Sequence, residues 1–499
     1  MGKHWQTYRS YLSIGILFML ASCHSTNKDI VAALRLSTDD SILDPSQLWL
    51  TDRYIVMDNI SIKLVHINSK NDYELILAER LDMSPDGRSV KIKIRSAFFS
   101  DGSPITSNDV ERSFKRLILR GSAHIPIKDI VEGGSNLKKI EDNISGLNVI
   151  SNNEIEIRLN KSVKEFVYYL TLADASILHN SLIEKETIHI EDWKVVSGAY
   201  LLDGDVLRSN PRAANYSDLM PRSVKLKSAP LTGTREDVKN FDIGFSGFIN
   251  KAENENASLP SPYKYTSNSY DLLVYLILNP RSNIFKNQEV RRGIAKKISE
   301  KFFIDEKMQF FKKANQFFLP DSFAFQKSFD VSRILDKSKH TKKGLPSFKI
   351  LATVGTKKYT FDGLSNELSN AIGSDVSISF TDDLNDYKSR KIKRDFDAYL
   401  VPTSMSYNVV SESLNLLYRS DIRFGENPNG KIIKLIDDYQ SSIGTAPELI
   451  EKIATEMTEE AEIIPLFNLS SPDFYNSDRI DISEMNISES LTFWKLRVK

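Results

Sequence analysis

The chain has 499 residues, and its 66 basic and 66 acidic side chains give a formal net charge of zero. This balance provides no electrostatic footprint for nucleic acid. The single cysteine excludes an intramolecular disulfide and a zinc site with two or more thiolates, and the seven histidines are scattered without an HExxH pair. The composition therefore predicts no nucleic-acid partner, no metal and no cofactor, and the length predicts at least two lobes.

The N-terminus has the order of an export signal. Lys3, His4 and Arg9 give a basic start, an apolar run follows over residues 12–20, and small residues precede Cys23. The apolar run is too short to span a bilayer comfortably. The sequence "LASC" at its end resembles the lipobox of bacterial lipoproteins, in which the cysteine sulfur is diacylglycerated, the signal is cut before it and the new N-terminus is usually acylated.

This resemblance implies a signal peptide over residues 1–22, lipid attachment at Cys23 and a lipidated tether over residues 23–28. Two or three acyl chains hold a protein stably on a membrane. An ordinary cleavable signal and a buried helix with a chance cysteine are the alternatives. Removal of residues 1–22 takes away only Lys3 and Arg9, which leaves 64 basic and 66 acidic residues and a net charge of −2.

The expected location is the cell envelope, with the lipid anchor on the extracytoplasmic side, periplasmic or external. No later segment approaches 18 consecutive apolar residues, so the mature chain is expected to be soluble apart from its anchor. The residue after the cysteine is His24 rather than Asp, which in a diderm host favours the outer membrane over the inner one.

Hydrophobic periodicity predicts the elements of the body in chain order. Val90, Ile92 and Ile94 alternate with charged residues as in a strand with one buried face. Thr106 is a good N-cap for a helix, with Asp109 at the N3 position. Other strands are expected at 31–36, 154–159, 275–278, 348–354, 375–380, 396–401 and 463–467, and other helices near 289–303, 359–372, 431–441 and 447–462. The β-α-β-β order of the latter half indicates an α/β lobe.

Several motifs occur in an order that is typical of one family. The segments are "ILDPSQ", "AERLDMSPDGRSVKIKIRSAFFSDGSPITSNDVERSFKRL", "NEIEIRLNK", "VVSGAYLL", "LILNPRSNIFKNQEVRRGIAKKI" and "EEAEIIPLF". Together they resemble the peptide/nickel class (solute-binding family 5) of ABC-transporter solute-binding proteins, which includes oligopeptide- and dipeptide-binding proteins. The most recognisable matches are Ala78-Glu79, Ser84, Asp86-Gly87, Ile94-Arg95, Phe99-Ser100-Asp101-Gly102, Pro104, Thr106, Asp109-Val110 and Ser113-Phe114.

The resemblance implies a two-lobed α/β fold of the periplasmic-binding-protein type (type II), with discontinuous lobes joined by a hinge. Lobe I would comprise residues 29–270 and 468–499, including an extra subdomain at about 51–185, and lobe II would comprise residues 271–467. A peptide or related small solute would be enclosed between the lobes and delivered to an ABC permease in the inner membrane. The protein would act as a monomer. The alternative is a sensor or surface lipoprotein on the same fold, with altered or lost peptide binding and no transport.

The sequence departs from the family where peptide binders commonly have an Asp-Tyr-x-Asp-Pro-like segment. Ser406-Tyr407 stands at the Asp-Tyr position and Val409-Val410 at Asp-Pro, so the carboxylate that pairs with a ligand's α-ammonium group is missing. A Gly-Thr-Gly-Pro-Tyr-like turn is reduced to Ser197-Gly198-Ala199-Tyr200. These changes favour a blocked peptide, a cell-wall fragment, a sugar or another small solute.

The candidate ligand contacts are Asp39 in the loop after the first strand, Gly198 and Tyr200 at the expected lobe crossing, and Ser404, Ser406 and Tyr407 in the second lobe. Each has a structural alternative. Asp39 is also suited to a turn or cap, Gly198 to a special backbone geometry, and the two tyrosines to packing.

We expect no enzyme. Gly244-Phe-Ser-Gly247 is similar to part of a GxSxG nucleophile elbow, but Phe248 occupies the final glycine position. The sequence has no Walker A loop and no pair of carboxylates in a recognisable catalytic motif, so a hydrolase is the weakest alternative.

Overall fold

The computed structural model describes residues 28–34, 43–47, 51–70, 72–122, 125–163, 165–183, 190, 193–229, 234–245, 258–266, 272–305, 308, 310–320, 329–335, 346–353, 356, 360–381, 384–393, 395–404, 414, 417–418, 430–442, 446–470, 473–485 and 491–499. The expected signal peptide, Cys23, Asp39, Ser406 and Tyr407 lie outside these residues, as does the side chain of Ser404.

Within the described residues the chain forms an alternation of helices and strands. The α-helices are α1 (Thr51–Ile60), α2 (Ser107–Arg120), α3 (Ile127–Ile130), α4 (Phe166–Tyr169), α5 (Gln288–Lys301), α6 (Val331–Leu335), α7 (Leu364–Ile372), α8 (Leu384–Lys393), α9 (Gly430–Ser441) and α10 (Pro447–Glu460). The strands are β1 (Asp29–Leu34), β2 (Val65–Ile67), β3 (Tyr73–Leu75), β4 (Ala78–Met83), β5 (Ser89–Ile94), β6 (Leu147–Ser151), β7 (Glu154–Arg158), β8 (Tyr200–Asp203), β9 (Val206–Ser209), β10 (Ser223–Ser228), β11 (Ile243–Phe245), β12 (Tyr263–Tyr265), β13 (Leu272–Leu278), β14 (Phe311–Lys313), β15 (Phe348–Thr353), β16 (Val376–Thr381), β17 (Ala398–Ser404), β18 (Ile463–Leu469), β19 (Asp473–Asn476), β20 (Ile480–Asp481) and β21 (Arg497–Val498).

The molecule has two lobes, each with its own sheet and hydrophobic core. The first sheet has seven strands in the order β12-β19-β11-β1-β10-β9-β8, and the second has six in the order β14-β18-β13-β17-β15-β16. In the first sheet β1 runs parallel to β10 and β11, and in the second β15 runs parallel to β16 and β17. The central strand β13 is buried along its whole length, which explains its uninterrupted apolar sequence "LLVYLIL".

Among the described strands, the chain passes between the two sheets twice. β12 of the first sheet is followed by β13 of the second, and β18 of the second is followed by β19 of the first. Only six residues separate β12 from β13 and three separate β18 from β19. The two lobes are therefore joined by two short connections.

A four-stranded antiparallel sheet, ordered β4-β5-β7-β6, extends the first lobe. Val90, Ile92 and Ile94 of β5 are fully buried, as the alternation predicts. Helix α2 begins after Thr106, which forms a capping box with Asp109, so the predicted helix start is confirmed.

Some predicted boundaries are wrong by several residues. The helix expected over 359–372 begins at Leu364, because Gly363 adopts a left-handed conformation (φ +91°) directly before it. The strand expected over 275–278 begins earlier, at Leu272. Strands β8 and β9 and helix α1 were not predicted, because their short or weakly periodic sequences carry little signal. Strand β10 was also not predicted, although Val224 and Leu226 alternate with lysines in "SVKLKS" as the apolar residues of β5 do.

Candidate functional site

The carboxyl ends of the parallel strands of both sheets lie at the edge where the chain crosses between the lobes. Phe245, at the end of β11, pairs with Asp473 at the start of β19. Ser404, at the end of β17, pairs with Leu272 at the start of β13, which also pairs with Leu469 at the end of β18. Open α/β sheets bind ligands at the carboxyl ends of their strands. This edge is therefore the candidate ligand site.

An apolar cluster joins the two sheets at the crossing. Leu272, Phe310 and Leu469 are buried together, with Tyr265 and Phe311 packed against them. The Tyr265 and Phe310 rings meet edge to face with their centroids 5.7 Å apart. Burial raises the pKa of Tyr265, so its phenol stays neutral at ordinary pH. The cluster therefore places apolar side chains next to the candidate site.

Two buried polar side chains lie at the end of the second sheet. Thr403 of β17 and Asn468 of β18 are both paired with Leu273 of the strand between them, so all three side chains share one face. Thr403 is 2% exposed and Asn468 is 4% exposed, yet Thr403 Oγ1 and Asn468 Oδ1 have no hydrogen-bond partner in the part of the chain that the structure describes. Buried polar atoms are normally paired, because leaving one unpaired is costly. Thr403 Oγ1 and Asn468 Oδ1 are therefore the candidate polar contacts of this site.

Sequence reasoning did not select Thr403 or Asn468, although a signal was present. Each is a polar residue near the end of an otherwise apolar run, in "AYLVPTS" and "IIPLFNL". A polar residue in a strand that is buried on both faces needs a partner, and no partner is evident from the sequence.

The candidates Asp39, Ser406 and Tyr407 follow the ends of two strands at this edge. Asp39 lies five residues after the end of β1, and Ser406 lies two residues after the end of β17. Ser404 is the last residue of β17, and only its backbone is described. Their contact with a ligand stays a prediction, because it depends on side chains outside the described residues.

Gly198 and Tyr200 lie elsewhere in the first lobe. Tyr200 begins β8, which is at the opposite edge of the seven-stranded sheet from β12, so the expected position at the lobe crossing is wrong. Sheet order depends on long-range pairing, which the local pattern does not encode. The Tyr200 side chain is fully buried, and its hydroxyl donates a hydrogen bond to the Pro221 carbonyl oxygen (3.1 Å). Burial raises the pKa of Tyr200.

Gly198 packs directly against the C-terminal end of helix α1. Its N–H donates to the Ile60 carbonyl oxygen (2.9 Å), and its own carbonyl accepts from Asn210 Nδ2 (3.0 Å). A Cβ at this position would lie 2.5 Å from the backbone of Ile60 and Ser61, so only glycine fits. A ligand contact by Gly198 or Tyr200 stays a prediction. Close packing and hydrogen bonds within the first lobe explain why glycine and tyrosine stand at these positions.

A buried ion pair fixes the segment that follows the β1 loop. Asp44 and Arg116 are each 1% exposed, and Arg116 Nη2 lies 2.6 Å from Asp44 Oδ2. Arg120 Nε lies 3.4 Å from the same oxygen. Burial alone raises the pKa of Asp44, but the Arg116 charge and the hydrogen bonds from Arg116 and Ser46 together hold it below its usual value. Asp44 thereby ties the end of the loop that contains Asp39 to helix α2.

Neither a metal site nor a membrane span is found in the described residues. No three His, Cys, Asp or Glu side chains among them are grouped so as to hold a metal ion. No helix in those ranges is long and apolar enough to cross a bilayer.

Comparison with known proteins identifies the family to which this sequence is similar. The profile of "Bacterial extracellular solute-binding proteins, family 5 Middle" matches residues 72–424. A dipeptide-binding protein of Lactococcus lactis subsp. cremoris (strain MG1363) is 24% identical over 182 residues, 36% of this chain, and the match spans 31% of that relative's length.

Solved structures match nearly the whole chain. The dipeptide-binding protein of Pseudoalteromonas sp. SM9913 in complex with Met-Leu has a TM-score of 0.74 at 15% identity, over 94% of this chain and 100% of that one. The murein tripeptide binding protein MppA of Escherichia coli has a TM-score of 0.72 at 15% identity, over 94% and 98% of the two chains. At these identities the likeness shows the fold, which is the two-lobed mixed α/β fold expected from the motifs.

Proposed function

Because the chain belongs to the bacterial extracellular solute-binding proteins of family 5, we propose that it is the receptor of an ABC importer. It captures a short peptide or a related small solute between its lobes and delivers it to a membrane permease. Lobe closure over an extended ligand suits recognition through main-chain hydrogen bonds, with side chains in hydrated pockets.

The pair of buried, unpartnered polar atoms of Thr403 and Asn468 carries this proposal. They lie at the carboxyl ends of β17 and β18, at the edge where the two sheets are connected. A solute amide supplies both a donor for an acceptor oxygen and an acceptor for a hydroxyl, so a peptide-like ligand satisfies both atoms. The absence of carboxylates at Ser406 and Val409 favours a ligand whose amine is blocked, such as a cell-wall fragment.

Lipid attachment at Cys23 and an extracytoplasmic, lipid-anchored location are part of the proposal. The basic start, the apolar run and the unique cysteine after "LAS" support them. We also propose that lobe I comprises residues 29–270 and 468–499 and that lobe II comprises residues 271–467. The strands of the seven-stranded sheet fall in the first set, and those of the six-stranded sheet fall in the second, apart from the last two residues of β18.

Native mass spectrometry of the full chain, purified from its own host in detergent, tests the receptor function. We expect a small co-purifying mass that disappears on denaturation, and a rise in the thermal midpoint with members of a library of free and N-blocked peptides of two to five residues. A protein with no bound mass and no thermal shift across the library would contradict the proposal. Appearance of cleaved peptides would instead indicate a hydrolase.

A Thr403→Val variant tests the site itself. Replacing an unpartnered buried hydroxyl by a methyl group is expected to leave the ligand-free protein equally stable or more stable, by up to about 1 kcal/mol. The same change is expected to weaken solute binding, about tenfold for the loss of one ligand hydrogen bond. Calorimetry and urea unfolding measure the two effects.

Thr458→Val is the matched control. Thr458 is equally buried, but its hydroxyl donates to the Ala454 carbonyl oxygen (2.8 Å) within α10. This variant is expected to lose stability by about 1 kcal/mol and to keep its affinity. Unchanged binding by Thr403→Val would exclude Thr403 from the site.

A further inference from the structure

The first strand begins a short distance along the chain from the expected lipid attachment point. Strand β1 starts at Asp29, six residues after Cys23. A fully extended chain advances at most about 3.6 Å per residue, so these six residues reach no further than about 22 Å. When Cys23 is acylated, as proposed above, its acyl chains hold it at the membrane surface. The start of β1 then lies within about 22 Å of that surface.

The start of β1 is fixed to the rest of the first lobe. The Lys28 carbonyl oxygen accepts a hydrogen bond from the Arg222 N–H (2.9 Å), and Lys28 Nζ donates to the Asp218 carbonyl oxygen (2.5 Å). The Asp29 carbonyl oxygen accepts from Arg479 Nη2 (2.9 Å). Residues from Lys28 onward therefore move with the lobe and add no length to the tether.

The tether and the candidate ligand site lie at opposite ends of the first sheet. Strands β10 and β11 run parallel to β1, so the amino ends of all three lie together. Asp29 pairs with Ser223 at the amino end of β1, and Leu34 pairs with Ser228 at its carboxyl end. Five residue steps of about 3.3 Å separate the two ends by about 17 Å. The candidate ligand site lies at the carboxyl ends, away from the tether.

The surface around the start of β1 is named the anchor face. Its charged side chains include three basic and three acidic ones, which are Lys28, Arg222, Lys499, Asp29, Asp218 and Asp478. These charges balance, so they do not repel the headgroups of a bilayer. Leu219, next to Asp218, is 57% exposed on this face. Isolated exposed apolar side chains are common on proteins, so the position of the face follows from the tether, and Leu219 marks it.

We propose that the anchor face lies against the phospholipid headgroups of the membrane that holds Cys23, with the candidate ligand site at the far end of the same sheet. The contact rests on the proposed lipid attachment at Cys23, but not on the identity of the solute. It leaves the carboxyl ends of β1 and β10 uncovered, so a solute can enter the site while the protein is anchored.

The tether disfavours the inverted orientation. With the sheet turned over, the start of β1 would lie at least about 17 Å from the bilayer even if Leu34 touched the headgroups. The tether would then be stretched to more than three quarters of its limit of about 22 Å while also passing around the lobe. Stretching removes conformational entropy from the tether, whereas the proposed orientation leaves it relaxed.

Fluorescence quenching by lipid headgroups tests this orientation. The chain has one cysteine, and acylation consumes its thiol, so Leu219→Cys and Ser228→Cys each supply a unique site for a thiol-reactive bimane label. Both positions are exposed, and Ser228 is the matched control at the carboxyl end of β10. The full-length variants are purified from their own host in detergent and placed in phosphatidylcholine vesicles with or without a headgroup nitroxide. We expect the label at position 219 to lose most of its fluorescence and the label at position 228 to keep it. Equal quenching, or stronger quenching at position 228, would overturn the orientation.

A longer tether tests the physical cause. Insertion of about twenty Gly and Ser residues after Asn27 adds a root-mean-square reach of about 25 Å. We expect this insertion to abolish the quenching at position 219, and persistent quenching would contradict the tether as its cause. The thermal midpoint shows that each variant is folded, and the intact mass reports acylation. A chain without acyl groups would refute the lipid anchor and the membrane contact together, whereas the co-purifying solute mass decides the receptor function separately.

Discussion

Two polar clusters of the first lobe, centred on the buried side chains of Asp44 and His66, differ in how their hydrogen-bonding groups are paired. The Asp44 cluster comprises Asp44, Ser46, Arg116 and Arg120, and its carboxylate accepts from Arg116 and from both the N–H and the hydroxyl of Ser46. The His66 cluster comprises Asp58, Lys63, His66, Glu74 and Lys495. His66 is 1% exposed, and neither of its ring nitrogens has a hydrogen-bond partner in the described part of the chain.

The surroundings of His66 explain the difference. Its ring packs against Trp494 of the C-terminal segment, with centroids 5.0 Å apart, in a small cavity that Asn215 also lines. Two cations lie nearby, but each is already paired: Lys63 with Asp58 (2.8 Å) and Lys495 with Glu74 (2.7 Å). Burial first, and then the charges of Lys63 and Lys495, lower the pKa of His66 well below its usual value. The Asp44 cluster is therefore stabilised by its ionised groups, whereas the His66 cluster is stable only while the His66 ring is neutral.

Breaking the Asp44 cluster is expected to have the largest effect. Asp44→Ala leaves Arg116 buried without its carboxylate, which costs about 3–5 kcal/mol of unfolding free energy. Urea unfolding measures this loss, and Asp44→Asn, which keeps an acceptor, should lose less. The control is Asp203→Ala, because the Arg208–Asp203 pair is 58% and 64% exposed and contributes about 0–1 kcal/mol. Equal losses for the two alanine variants would refute the distinction between buried and exposed pairs here.

Acidification should destabilise the two clusters in different pH ranges. The folded pKa of His66 is below the unfolded value of about 6.5, so the unfolded chain binds the proton first and stability falls as the pH drops below about 6.5. The loss is up to about 1.4 kcal/mol for each pH unit until the folded His66 also titrates. Asp44 contributes stability above about pH 3.8 that is lost as the pH falls through its depressed folded pKa.

Urea unfolding of wild type and His66→Phe between pH 7.5 and 5 checks the upper range. The variant is expected to have a flatter dependence on pH, whatever its absolute stability. A wild-type slope that persists unchanged in the variant would assign the pH dependence to other groups.

The clusters also show which features the sequence could predict. Val90, Ile92 and Ile94 were placed correctly because a strand with one buried face repeats every two residues, and Thr106 with Asp109 is a local capping signal. Asp44 and Arg116 are 72 residues apart, and nothing local to "ILDP" indicates its partner. His66 lies between apolar residues of β2 and gives no sign that the C-terminal segment will cover it.

The candidate site was also predictable only in part. The motif resemblance directed attention to the loops after β1 and β17, whose strands do end at the lobe crossing. It placed Gly198 and Tyr200 there as well, but strand order in the sheet puts β8 at the far edge. Thr403 and Asn468 become evident only when the two strands are seen to flank β13, because their common face is a product of register.

The smallest expected effect sharpens the account of His66. Lys495→Met removes one of the two cations that lower the pKa of His66, so the folded pKa should move back toward its usual value. The folded protein then binds the proton at a higher pH, so the loss of stability on acidification should level off at a higher pH than in wild type. The difference in total loss is a fraction of the about 1.4 kcal/mol that corresponds to one pKa unit. Lys495→Arg keeps the charge and should level off at the wild-type pH. Urea unfolding carried to pH values below 5 measures this point. Loss of the pair with Glu74 changes stability at every pH, so only the pH at which the curve levels off distinguishes an electrostatic action on His66 from a packing role. The same levelling-off pH in the Met and Arg variants would leave Lys63 and burial as the causes.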